Sequence, residues 1–550
     1  MIHENIKVEI PKGCVTYSNK LVYYSKGKKY DKDKQYNVYS RVCIGKSIDD
    51  KYMNPNDNYE SYFNSESIKK EPPLLSDTLS IGLNTVIDSL IDDFQIKDIL
   101  LDYFEDEEYY LIRDLISYMI FNESSVIQHF NSCIRRTNIL SSTIRSDSYI
   151  SNFFKTNITD KKIESFLNDF NELERNKKDL LYISYDSTNM NTYSGGIELA
   201  EYGHAKDDEG LPQVNLSLAI NQEESLPLFY ELYPGSIIDN SQLIHMVDRL
   251  KEYNYKNIGV ILDRGYFSKN NMDYLRSNNY SYLLMVKTNN DTITKLIDKY
   301  RFKIENHQNY IKDHDVYGIS EEIKLYPKDK HKVFIHIYYD SELAASDKKA
   351  YSKMINDLTL ELDEHINKHT NKDNLDKYSK IFKIFTDEYN NIVSYKYDEK
   401  YIENHQKGFG YFSIITSSKM TSSEAIDIYR NRDSVEKLFR ALKSDLDYTK
   451  YRIHSSSSLR GKTFIVFLAT IIRSQIFNNT RELRKQNRKE YTVNSIINEL
   501  SNIEVTRNAK DIYIRRYSLT AKQKNILSKF KLKEKDIDNT VNILNNQFKQ

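Results

Sequence analysis

Tryptophan is missing from this 550-residue chain, and cysteine occurs only three times. Cys14, Cys43 and Cys133 lie far apart with no CxxC pair, so neither a disulfide framework nor a thiolate zinc site is indicated, as expected of a protein in a reducing cytoplasm. Long apolar runs are also lacking. The longest, Phe464 to Ile472, stops at Arg473, well short of the roughly 20 residues a bilayer span needs. The N-terminus, MIHENIKVEI, has no cationic stretch followed by an apolar core, so no secretory signal is expected. Neither sign of charge is in excess, with 79 Lys/Arg against 79 Asp/Glu. What remains is 39% apolar and 29% charged, the make-up of a soluble globular protein with length enough for two to four domains. Tyrosine reaches 45 beside abundant Asn, Lys and Ile, which reads as an AT-rich coding bias rather than a functional signal.

A net charge of zero argues at first against a polyanionic partner. Its distribution points the other way, since Tyr451–Lys535 holds 19 Lys/Arg against 6 Asp/Glu while Asp88–Glu108 is strongly acidic. A polyanion meets the local excess of cations, not the total.

Residues 1–70 read as a small β-rich element, with strands at Lys20–Ser25 and Tyr36–Ile44 joined by the basic link KGKKYDKDK. That link suits a phosphate contact or simply an exposed hairpin. Pro72–Pro73 marks a boundary, and residues 71–175 carry helical periodicity in LNTVIDSLIDDF, IKDILLDYF, YYLIRDLISYMIF and IESFLNDFNEL. This region is expected to bind DNA or to dimerise. Over 176–288 the pattern becomes three strands (Leu180–Asp186, Gln213–Asn221, Leu226–Tyr233), a helix, the strand Ile258–Asp263, a short helix and the strand Ser281–Lys287. That order predicts an α/β core of ribonuclease H-like type. Residues 289–407 leave the pattern and read as an inserted α+β subdomain, 408–478 as the second part of the core, and 479–550 as a helical basic C-terminal region.

Within 408–478, the segment YRNRDSVEKLFRALK (Tyr429–Lys443) follows a Ser/Thr cluster at Thr421–Ser423 and contains no Pro or Gly, which predicts a helix. At 3.6 residues per turn, Tyr429, Arg432, Glu436 and Lys443 fall within an arc of about 60°. Ile428, Val435, Phe439, Leu442 and Leu446 form an adjacent apolar stripe. Two aspartates lie far upstream, each ending an apolar strand: Asp186 in LLYISYD and Asp263 in IGVILD. Singly, each also suits a turn, Asp186 as an Asx-turn residue and Asp263 capping beside Gly265. Strand ends on one sheet edge can bring two aspartates together, with Glu436 from a packed helix as the third acid. Clustered carboxylates repel unless a cation neutralises them, and Mg²⁺ takes oxygen ligands and supports phosphoryl transfer, often as a pair of ions. Lys443 is then placed to reach a phosphate, Arg432 to do the same or to orient Glu436, and Tyr429 to pack on a sugar or donate to phosphate.

YDSTN (Tyr185–Asn189), LDRGYFS (Leu262–Ser268) and the Y-x2-R-x3-E-x6-K pattern at Tyr429, Arg432, Glu436 and Lys443 together resemble the DDE transposases of bacterial insertion sequences. YGHAKDDEGLPQVNLSLAIN (Tyr202–Asn221) and ELYPGS (Glu231–Ser236) resemble a group with a long N-terminus; His204 and Lys206 in that block receive no role. The resemblance implies that Asp186, Asp263 and Glu436 are catalytic and hold two Mg²⁺ ions, for which Mn²⁺ substitutes, and that Tyr429, Arg432 and Lys443 contact DNA. It further implies cut-and-paste cleavage at terminal inverted repeats, strand transfer of the freed 3′-hydroxyl into target DNA, a homodimer on paired ends, and a cytoplasmic, nucleoid-associated protein. Some relatives stack a flipped base on a Trp during hairpin formation, and this chain has none. A structure-specific nuclease on the same core and a catalytically silent DNA-binding descendant are the alternatives.

Overall fold

The computed structural model describes residues 7–31, 36–63, 75–177, 180–203, 210–286, 288, 290–367, 377–389, 391–448, 450–508 and 512–547. His204 and Lys206 lie outside them. The chain divides into two compact units, Met1–Ser76 and Asp77–Gln550.

The first unit is a five-stranded antiparallel sheet in the order Val8–Glu9, Tyr52–Pro55, Tyr36–Ser47, Leu21–Asp31, Cys14–Thr16. Its small core is Val22, Ile44 and Met53, against which Tyr59 and Phe63 of the helix Asp57–Phe63 pack. Only the base of the two long strands touches this core. Their outer halves, residues 26–30 and 36–41, are exposed throughout.

The second unit is built on a nine-stranded mixed sheet. Its strands are β1 (Leu181–Asn191), β2 (Gln213–Asn221), β3 (Leu226–Pro234), β4 (Ile258–Leu262), β5 (Ser281–Val286), β6 (Tyr310–Ile311), β7 (Val316–Ile323), β8 (Val333–Tyr339) and β9 (Tyr411–Thr416), in the order β6-β7-β8-β9-β5-β4-β1-β2-β3. β4 runs parallel to both β1 and β5, and every other pairing is antiparallel. The parallel strands are continuous apolar runs because helices cover both faces of such a sheet. The helices α1 (Asp239–Glu252) and α2 (Lys269–Ser277) provide the β3-to-β4 and β4-to-β5 crossovers.

Residues 289–407, expected as an inserted subdomain, divide between two roles. After α3 (Asp291–Tyr300), strands β6 to β8 extend the central sheet, with β9 as the link between β8 and β5. α4 (Ser341–Asn367), the ribbon Phe382–Thr386/Ile392–Tyr397 and the helix Glu399–Gln406 form a separate small core of Tyr351, Leu362, Tyr378, Phe382 and Ile392. Strand partners are chosen by distant residues, so the local pattern that marked Lys332–Tyr339 as a strand left its place in the sheet open.

His336 of β8 fixes the join between the added strands and β9. It is fully buried, with Ser320 Oγ 2.7 Å from Nδ1 and Thr416 Oγ1 3.0 Å from Nε2. Burial lowers its pKa to about 4, so the ring is neutral in the fold. A histidine depressed in this way contributes stability that is present above its unfolded pKa near 6.5 and is lost as pH falls towards 4. Between pH 7 and pH 5 the loss through His336 is expected to be about 2 kcal/mol. Urea midpoints of wild type and His336→Gln at the two pH values measure it, and equal pH dependence in both proteins would contradict it.

After β9 come α5 (Ser422–Arg430), α6 (Asp433–Arg440) and, following a π-helical turn at Ala441–Asp445, the buried helix α7 (Ser456–Asn479). The helices of the 71–175 region pack around α7: Phe104 stacks on Phe464, Phe166 meets the same ring edge-on, and a Cβ at Gly461 would fall 2.2 Å from the Phe154 carbonyl. Strand Thr78–Ser80 pairs with Glu504–Arg507, and Ile81 donates its N–H to the Ile503 carbonyl. From Asp77 onward, the regions read as 71–175 and 479–550 therefore share one unit with the core. Much of the basic C-terminal charge is spent inside it. Arg515 and Lys524 pair with Glu534, Arg516 with Glu504, Lys522 with Glu499, Lys529 with Glu482 and Arg507 with Asp77. No helix among the described residues is long and apolar enough to cross a membrane.

Candidate catalytic site

The sheet register brings the two aspartates together. The offset that pairs Ile258 with Leu181 and Ile261 with Ser184 carries Asp263 level with Asp186, where adjacent strands lie about 4.8 Å apart. Partners at the same level of a parallel pair point to the same face. β1 is otherwise almost wholly buried, and Asp186, with its side chain 18% exposed, is one of two half-open positions in it. Its Oδ1 accepts the Ser187 N–H at 2.8 Å. Asp263 caps a 3-10 turn at Arg264–Tyr266, with Oδ1 accepting the Arg264 N–H at 2.5 Å, and its side chain is 38% exposed. Asp263 thus caps a turn as the sequence allowed, whereas Asp186 lies within a strand that runs on to Asn191 and forms no Asx-turn.

Their common partner comes from the third element. Thr421 caps α5 through a reciprocal capping box with Glu424, which explains why the helix begins there. Ala425 and Ile426 pack on the sheet among Ile261, Leu283, Tyr338 and Ile414. Gln222 at the end of β2 donates to the Ile428 carbonyl at 2.6 Å, and His314 meets Asp427 at 2.5 Å. The helix expected through Tyr429–Lys443 is not continuous. It tightens at Asn431–Arg432, where Arg432 N–H bonds to the Tyr429 carbonyl and Val435 N–H to that of Arg432, both 2.9 Å and both three residues back. α6 then presents Glu436 outward, 64% exposed, while Val435, Leu438, Phe439 and Leu442 pack inward.

Arg432 sits at this hitch and turns into the protein. Its side chain is 8% exposed, and its guanidinium faces all three acids: Nη2 lies 2.7 Å from Asp186 Oδ2 and 3.6 Å from Asp263 Oδ2, and Nη1 lies 3.5 Å from Glu436 Oε1. Burial works against the charge, but the fields of Asp186, Tyr429, Asp263 and Glu436 outweigh it and hold the guanidinium protonated above its ordinary range. Arg432, expected at DNA, here turns its Nη atoms to the three acids. Of the two roles the sequence allowed it, orienting Glu436 is the one the geometry matches, with the two aspartates added.

Tyr429 is half-buried against the same cluster as α5, with its hydroxyl 3.2 Å from Met285 Sδ, and burial pushes its pKa up to about 12. Lys443 lies one element further on, half-buried in the π-helical turn. Below that turn Arg473, 2% exposed, joins Asp445 at 2.8 Å, Asn494 at 3.0 Å and Glu123 at 3.5 Å, which ties α6 to distant parts of the body. No local pattern marks this clamp, since its partners span more than 300 residues.

The donor set consists of three carboxylates without sulfur or imidazole, which fits a hard divalent cation. In their present positions the acids converge on Arg432 rather than on one another: among the described residues no three His, Cys, Asp or Glu side chains form a group that could hold a metal ion. The guanidinium marks the point at which these acids favour positive charge. Beside it opens a cleft of about 1020 Å³ between β5, β9, α3 and α4, lined by Arg264, His405, Lys407, Phe409 and Tyr411 among others. Sequence reasoning passed over Arg264, although it follows Asp263 directly in LDRGYFS.

Residues 178–472 match the family model described as a transposase DDE domain. No curated protein matches the chain. Among solved structures it is similar to a cryo-EM structure of a piggyBac transposase synaptic complex with hairpin DNA, at 10% identity and a TM-score of 0.32, over 83% of this chain and 82% of that one.

Proposed function

The chain belongs to the transposase DDE-domain family and is a DDE-type transposase, and from that premise we propose that Asp186, Asp263 and Glu436 form its catalytic triad on a ribonuclease H-like core. In this reading it cleaves DNA at the ends of an insertion sequence and joins the freed 3′-hydroxyls to target DNA by a cut-and-paste route, as a homodimer holding two ends. The observation that carries the assignment is the convergence of these three acids, from two adjacent parallel strands and one helix, on a single cation.

Asp186, Asp263 and Glu436 would hold Mg²⁺ or Mn²⁺, two ions in the fullest form. Held there, such a cation would supply the charge that activates an attacking oxygen and stabilises a leaving one at phosphorus. The chain's own residues do the positioning. Asp186 and Asp263 are fixed by strand register and by their contacts with the next backbone N–H, so neither needs to reorganise about its Cα. Glu436, the most exposed acid, is the movable member and faces the side from which a duplex arrives. Arg432 keeps the three negative charges together. Tyr429 supports Arg432 from the core side, and Lys443 engages the DNA backbone.

Purified protein incubated with a duplex carrying the element's terminal repeats should give Mg²⁺-dependent strand breaks and, with added target DNA, joined products. Breaks without joined products would favour a structure-specific nuclease. Binding without breaks in either Mg²⁺ or Mn²⁺ would sink the proposal and leave a silent DNA-binding protein.

A further inference from the structure

The first unit holds a feature that the catalytic reading does not use. Its two long strands carry five Lys/Arg and one Asp. The strand Cys14–Thr16 covers Leu21–Asp31 only as far as Tyr24, and Tyr52–Pro55 covers Tyr36–Ser47 only from Gly45 onward. Beyond those points residues 26–31 and 36–41 form a two-stranded ribbon, about 20 Å long at 3.4 Å per residue. A bulge between Ser25 and Gly27, with Lys26 as the extra residue, starts the projection and increases its twist.

The register assigns the side chains to faces. Lys28 lies opposite Tyr39 and Tyr30 opposite Asn37, and Arg41 shares their face; Lys29 lies opposite Val38 on the other face, with Tyr36 beside it. Tyr30, Tyr36 and Tyr39 are 56%, 58% and 48% exposed. Arg41 lies over the Tyr39 ring at 5.2 Å and hydrogen-bonds the Tyr17 hydroxyl. A two-stranded ribbon without a covered face is marginally stable in water, and bare tyrosines on both sides stabilise it little. The same residues suit an occupant that meets both faces at once and carries negative charge on both sides. The major groove of a duplex, about 12 Å wide with a phosphate wall on either side, admits a two-stranded ribbon.

We propose that the ribbon 26–31/36–41 is a duplex-DNA-binding arm, its lysines and Arg41 on backbone phosphates and its tyrosines against sugars and base edges. The proposal rests on the reading of this chain as a transposase and assigns its first unit to holding DNA, apart from the chemistry. Aromatic and cationic side chains interleaved in this way bind duplexes through counterion release, so affinity falls steeply with salt.

The test uses the full-length protein and a labelled duplex, with binding followed by anisotropy between about 50 and 200 mM salt. The variant Lys28→Gln/Lys29→Gln/Arg41→Gln should bind about 10- to 100-fold more weakly, and its log–log salt slope should be shallower by about 2 to 3, near 0.9 per lost phosphate contact. Lys28→Arg/Lys29→Arg should keep the wild-type slope, and Tyr30→Ser/Tyr39→Ser should weaken binding while leaving the slope unchanged. All substituted positions are exposed, and an unchanged circular dichroism melt confirms that each variant folds. A triple variant with wild-type affinity and slope overturns the arm while leaving the transposase reading intact. A wild-type protein that binds no duplex overturns both. A triple variant that alters sedimentation but not DNA affinity also overturns the arm, and makes the ribbon a contact between copies.

Discussion

Glu436→Gln is expected to cut terminal-repeat DNA on the order of 10³-fold more slowly than wild type, about 4 kcal/mol of barrier, while binding the same duplex within about twofold. The substitution keeps the size and polarity of the side chain and removes only its charge. Because Glu436 is 64% exposed and packs against nothing in the core, the fold should melt at the wild-type temperature. Asp186→Asn should lose as much activity but also some stability, since its carboxylate is the close partner of a buried guanidinium at 2.7 Å. Single-turnover cleavage in Mg²⁺, with binding measured separately in Ca²⁺ or chelator, distinguishes the two effects. A Glu436→Gln protein cutting at wild-type speed would falsify the triad.

Arg432→Met should destabilise the metal-free protein by about 2–4 kcal/mol, somewhat below the cost of breaking a fully buried pair because Glu436 and Asp263 are partly solvated. The more telling readout is the response to Mg²⁺. Three acids without their guanidinium repel one another, so a divalent ion should raise the melting temperature of the variant by more than it raises that of wild type. The sequence-based role for Arg432 as a DNA contact predicts something different: wild-type stability, an unaltered Mg²⁺ response and weaker DNA binding with a shallower salt slope. An Arg432→Lys protein should recover part of the stability but not the three-way contact, since an ammonium lacks the planar fork that spans Asp186, Asp263 and Glu436.

The parts of this site written in local pattern were legible in the sequence. IGVILD announced a strand that ends at its acid and LLYISYD announced a strand, although that one runs on past Asp186 to Asn191, and the Thr421–Glu424 cap announced the helix that follows β9. The apolar stripe at Val435, Phe439, Leu442 and Leu446 is the buried side of that segment. Angular position along an ideal helix was a poorer guide. It placed Arg432 and Glu436 on one outward stripe, whereas the tight turn at Asn431–Arg432 rotates Arg432 into the protein, and the π-helical turn interrupts the path to Lys443. Nothing local distinguishes an arginine that will meet solvent from one whose partner lies 246 residues upstream. The extension of the sheet by β6, β7 and β8 was hidden for the same reason. Each strand was readable alone, but its neighbours were set by β9, some 70 residues later.

The order in which the sheet is built also governs when a growing chain becomes dangerous to DNA. β1, β4 and β5 can associate once residue 286 has left the ribosome, but β9 reaches its place between β5 and β8 only after residue 416, and Arg432 and Glu436 follow it. A chain cut short between residues 286 and 416 carries both aspartates and lacks both the cation that holds them and the acid that completes them. Truncated products of this gene would thus be inert as nucleases, yet would still include the amino-terminal ribbon. If that arm grips duplexes as proposed, such fragments would occupy DNA without cutting it, and a transposase whose incomplete copies compete with complete ones would limit its own activity.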